Sequence, residues 1–79
     1  MTTQAQKLAA AVALALDVPI ADGNPQADRD LLRTRTIATR VWALELASGA
    51  IDVDSAVGLL RELPTRYPVT YTVYKGGAS

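Results

Sequence analysis

Four arginines, Arg29, Arg33, Arg35 and Arg40, fall within twelve residues, while only two lysines, Lys7 and Lys75, occur in the whole chain. On a helix, Arg29, Arg33 and Arg40 share one strip, and a row of guanidinium groups suits phosphate or carboxylate partners. Other reactive chemistry is scarce. The 79 residues contain neither His nor Cys, which removes disulfides and ordinary zinc, haem and iron–sulfur ligation. The close carboxylate pairs are Asp28/Asp30 and Asp52/Asp54. Members of such a pair stand two apart, so they point to different sides of a helix or cap its start. There is no G-x-S-x-G elbow and no phosphate-binding glycine loop. Gly49-Ala50-Ile51-Asp52 has the Gly-x-Ile outline of a calcium loop, but that register puts Leu44 and Leu46 where carboxylates are required. No catalytic, metal or cofactor-binding residue is expected, and no small-molecule substrate.

The aromatic set is Trp42 with Tyr67, Tyr71 and Tyr74. Trp42 falls at the centre of an apolar helical arc and is expected in the core. The tyrosines cluster near the C-terminus among Val69 and Val73, where a ring with a hydroxyl is well suited to an interface. Tyr67, Val69, Tyr71, Val73 and Tyr74, together with Leu14 from the first helix, are therefore the expected partner-binding residues. Val69 and Tyr71 could equally lie back along the helices and complete the core.

Three helices must carry these groups. The first is expected over 3–16, where Ala5, Leu8, Ala9, Val12 and Leu16 repeat at helical spacing and further alanines cover the rest of the circumference. Such a helix is either enclosed on more than one side or simply alanine-rich because alanine has the best helix propensity. Its apolar run follows Lys7 for nine residues, too short to span a bilayer, and lacks the charged start of a secretory signal. It reads as an internal helix of a cytoplasmic protein.

A connector over 17–24, with Pro19 and Asp22-Gly23, leads to Asn24-Pro25, a strong helix start. The second helix is expected over 25–47. Its apolar residues, Leu31, Leu32, Ile37, Ala38, Val41, Trp42, Leu44 and Leu46, spread over more than half the circumference, a width that suits contact on two flanks. Arg35 and Glu45 project into that arc, and Asp28, two turns before Arg35, is positioned to pair with it. Gly49 ends the helix and Asp52 caps a third, in which Val53, Ala56, Val57, Leu60 and Leu63 form the clearest amphipathic pattern. Pro64 should stop it, and 65–67 should be a linker. Residues 69–74 are all β-branched or aromatic and read as a strand closed by Gly76-Gly77. Only 18–21 could pair with it internally, and Pro19 weakens that segment.

Composition sets the scale. Of the hydrophobic 49%, fourteen residues are alanine and none is phenylalanine, so the core is thin for a single small domain. A formal net charge of zero and a pI near 6.1 argue against a general nucleic-acid coat or an anionic-membrane binder. The expected fold is mainly α, a three-helix domain over 1–67 with a C-terminal strand-like extension over 68–79. The expected function is that of a small non-catalytic interaction protein, an adaptor or accessory subunit that dimerises or docks on a protein partner. The alternative is a nucleic-acid-binding regulator using Arg29, Arg33 and Arg40. That alternative predicts DNA or RNA binding that weakens with salt and on replacing those arginines, measured by fluorescence anisotropy; absent or salt-insensitive binding removes it.

Overall fold

The computed structural model describes residues 2–75; Gly76 and Gly77 lie outside them. The chain is mainly helical, with α1 (Gln4–Ala15), α2 (Pro25–Ala47), α3 (Val53–Arg61) and a single turn, α4 (Leu63–Arg66). Local chemistry sets each boundary. The Thr3 hydroxyl accepts from the Gln6 amide at 3.0 Å while the Gln6 side chain accepts from the Thr3 amide at 2.9 Å, a reciprocal capping box. Asn24 accepts from the Gln26 amide ahead of α2, with Pro25 at the first helical position. Gly49 leaves α2 with φ +81°, and the Gly49 and Ala50 amides turn back to the Leu46 and Glu45 carbonyls, a Schellman closure. Asp52 starts α3 by accepting from the Ser55 amide at 2.8 Å.

Pro64 does not end the helical path. It stands in the first turn of α4, where no intrahelical amide is needed, so 63–66 turn once more in place of the expected linker. That turn buries Leu63, whose carbonyl accepts from the Tyr67 amide at 2.8 Å.

The core lies where α1 meets α3, the most extensive helix contact. Ala11, Ala15, Leu60 and Leu63 are buried there, and Leu8, Val12, Ala38, Trp42, Val57 and Tyr67 pack around them. Ala56 is also fully enclosed. Alanines at 11, 15 and 56 leave little bulk between the helices, and the leucines fill the space beneath. The outward side of α1 is open: Ala9, Ala10, Ala13 and Leu14 are exposed. Its alanine content thus reflects helix propensity rather than enclosure on several sides.

Arg35 is the buried charge of the fold, with 3% of its surface exposed. Asp28 is not its ion-pair partner. The Arg35 Nε instead donates to the Tyr67 carbonyl at 3.0 Å, and one terminal nitrogen donates to the Asp17 carbonyl at 3.4 Å. The guanidinium thereby ties α2 to the end of α1 and the end of α4. Asp28 keeps one buried carboxylate oxygen, Oδ1, without a hydrogen-bond partner, as does Thr39 at Oγ1.

The expected strand does not form. Residues 69–74 meet the connector at one antiparallel bridge, Ala21 with Val73, flanked by hydrogen bonds from the Asp22 amide to the Thr72 carbonyl and from the Tyr74 amide to the Ile20 carbonyl. On one side Gly23, with φ +75°, turns the chain away from the segment. On the other, the Pro19 carbonyl is taken by the Tyr71 hydroxyl.

Removing the guanidinium leaves the two carbonyls without their charged donor. Arg35→Ala should therefore cost about 3 kcal/mol, from the strength of hydrogen bonds to a charged group plus the penalty for stranded acceptors. Urea denaturation followed by circular dichroism should show a lower midpoint with an unchanged slope.

Candidate interaction surface

The residues expected to bind a partner do not form one patch. Tyr67 is half-buried: its ring packs on the core, and its carbonyl is held by Arg35. Tyr71 is also half-buried, and its hydroxyl donates to the Pro19 carbonyl, anchoring the C-terminal segment to the connector. Val73 is half-buried at the bridge to Ala21. Val69 and Tyr74 remain exposed. Leu14 is exposed on α1, beside a shallow hollow shared with Lys7, Ala10, Asp54, Val57 and Arg61, and none of the described residues 67–75 lines that hollow. Of the expected partner-binding residues, Tyr67, Tyr71 and Val73 are thus engaged within their own chain.

Burial raises the Tyr71 phenol above its ordinary value, the Asp28 carboxylate raises it further, and the Arg35 guanidinium partly opposes both. At the α3 cap the direction is opposite: hydrogen bonds from Ser55 lower the Asp52 carboxyl.

A continuous apolar surface appears instead on α2. The width of its apolar arc implied contact on two flanks, and the described residues supply one. Leu31, Ala38, Trp42 and Leu46 are at least half-buried on the covered flank, whereas Ile37 is 56%, Val41 45% and Leu44 59% exposed on the other. Beside this stripe runs a groove of about 290 Å3, lined by Ile37, Ala38, Val41, Trp42, Leu63 and Tyr67 with Thr34 and Arg66 at its edge. Trp42 is half-buried rather than enclosed, because it forms a wall of this groove and of a second, of about 270 Å3, that opens toward α1 and α3.

Charge borders the open stripe. Arg29, Arg33 and Arg40 are exposed along one edge, as the helical projection requires, and Glu45 is exposed on the other. The ion pair formed among the described residues is Glu62 with Arg66 at 3.7 Å, so these four charges have no partner within the described chain.

The molecule is extended for its size. Its radius of gyration is 14.4 Å, against roughly 12 Å for a compact domain of this length, and its principal extents are 46 × 27 × 16 Å. Its accessible surface of 5586 Å2 is about a fifth above the roughly 4,600 Å2 that mass scaling gives for a folded monomer. No helix among the described residues is long and apolar enough to cross a membrane. Comparison with protein-family models, with curated proteins and with solved structures finds no match to this chain.

The raised Tyr71 phenol implies a pH dependence with a definite sign. The folded state holds the phenolic proton to higher pH than the unfolded chain, so this contribution is complete below the unfolded value near 10 and is lost as pH rises through the folded value. Tyr71→Phe should flatten the alkaline fall in urea midpoint above about pH 10. It should also lower the midpoint at neutral pH, through loss of the bond to Pro19.

Proposed function

We propose that this is a small non-catalytic interaction protein, an adaptor or accessory subunit that works by associating with a second copy of itself. The observation that carries this reading is the surplus surface. The excess over a compact monomer is about 1,000 Å2 per chain, close to the roughly 800 Å2 per partner that a stable interface covers. The open apolar flank of α2 is where such a cover has most to gain, since three large aliphatic side chains there are about half exposed. The thin core points the same way, because a chain with few large buried side chains gains proportionally more from association.

The covered tyrosines shift the interface from the C-terminal segment to the central helix. Tyr71 and Val73 act within the fold, positioning the connector against α2, while Val69 and Tyr74 remain at its margin.

Light scattering on a sizing column, across a hundredfold range of concentration, tests the reading. The expected mass is twice the 8.4 kDa of the chain at the upper end, falling toward a single chain on dilution. A mass of 8.4 kDa at every concentration overturns it.

A further inference from the structure

The exposed apolar residues of α2 are spaced four and three apart: Ile37, Val41 and Leu44. That is the d, a, d spacing of a heptad seam; Val41 at a with Leu44 at d is the pairing found in two-stranded parallel coils, and Ile37 takes the other d position. Thr34 and Ser48 occupy the a positions on either side, so the apolar seam is two turns long and closes in small polar residues.

The same register assigns the charges. Arg33 and Arg40, each directly before an a position, take g, and Glu45, directly after a d position, takes e. In a parallel pair, a g residue of one helix meets the e residue five positions further along the other. Arg40 and Glu45 are five apart, and both are exposed without an ion-pair partner in the described chain. An antiparallel pair would place like flanks together, arginine edge against arginine edge and Glu45 against Glu45. We infer that two copies of this chain associate through a parallel α2–α2 seam of Ile37, Val41 and Leu44, flanked twice by Arg40 of one copy with Glu45 of the other. This rests on the self-association reading and adds to it the surface, the orientation and the pairing that selects it.

The seam also accounts for the groove beside it. One heptad earlier, Arg33 of one copy meets Ala38 of the other, a small half-buried residue in the groove wall. The arginine methylene stem can lie across that apolar wall with its guanidinium in water. α1 and α3 attach on the covered flank, while Leu63 and Arg66 of α4 border the groove beside the seam.

Orientation is decided by cysteines, because the chain has none of its own. Ile37→Cys and Leu44→Cys are prepared separately in the full chain, checked for helicity by circular dichroism, and oxidised under mild conditions. In a parallel seam each variant forms a homodimeric disulfide, since equivalent core positions lie within the roughly 4.4–6.8 Å between Cα atoms that a disulfide spans. In an antiparallel pair the two sites, about 10 Å apart along the helix, cannot both lie on the two-fold axis, and the mixture of variants cross-links in preference. Cross-linking only in the mixture, or in neither variant, overturns the parallel seam. If light scattering still shows a dimer, self-association stands and its surface lies elsewhere; if it shows a monomer, both fall.

Charge reversal supplies the independent arm. Arg40→Glu and Glu45→Arg should each weaken the dimer about tenfold, and the double variant should recover most of that loss. Single reversals that leave dimer affinity unchanged overturn the pairing.

Discussion

The geometry of this small protein depends on one buried guanidinium. Arg35 is nearly sealed from solvent, yet it meets backbone carbonyls rather than a carboxylate. Its two acceptors are Tyr67, at the end of α4, and Asp17, just after α1. A single side chain in the middle of the longest helix therefore fixes where the two other helical arms end. A buried charge is costly unless its donors are satisfied, so these contacts are demanding as well as favourable. Once Asp17 and Tyr67 are fixed, the connector and the C-terminal segment emerge side by side. The bond from Tyr71 to the Pro19 carbonyl and the Ala21–Val73 bridge follow from that placement.

What Arg35 organises on one flank of α2 leaves the other flank bare. The described residues form three helices and one extra turn, and α1 and α3 spend their best apolar faces on each other. Small residues at 11, 15 and 56 let that pair close tightly. α2 is then covered along Leu31, Ala38, Trp42 and Leu46, and Ile37, Val41 and Leu44 are left outside. The surplus surface of the molecule, its extended shape and its half-covered tryptophan are consequences of the same shortage of covering elements.

The C-terminal segment shows how backbone chemistry limits a sequence with strong β propensity. Residues 69–74 carry the side chains of a strand, but a strand needs a ladder of amides opposite. The turn at Gly23 carries the connector away, and one bridge, Ala21 with Val73, is formed. The segment is held instead by a few specific contacts, and Tyr71 serves the fold through its bond to the Pro19 carbonyl.

Much of the helical framework was legible in the sequence because its determinants are local. Asn24-Pro25, Ser48-Gly49 and Asp52 state where α2 begins, where it ends and where α3 starts, each through groups only a few residues apart. The burial of Ala56, Leu60 and Leu63 followed from period alone. The turn through Pro64 did not, since a proline that blocks one helix can open the next. The partners of Arg35 were also out of reach: backbone carbonyls carry no residue signature, and one of them lies 32 positions away. The same holds for the interaction surface. The sequence alone determined that α2 is apolar around more than half its circumference, because helical period depends only on residue order. Only the tertiary structure decided which part of that arc the chain covers and which it leaves open, because coverage depends on where distant helices pack and on how few of them there are.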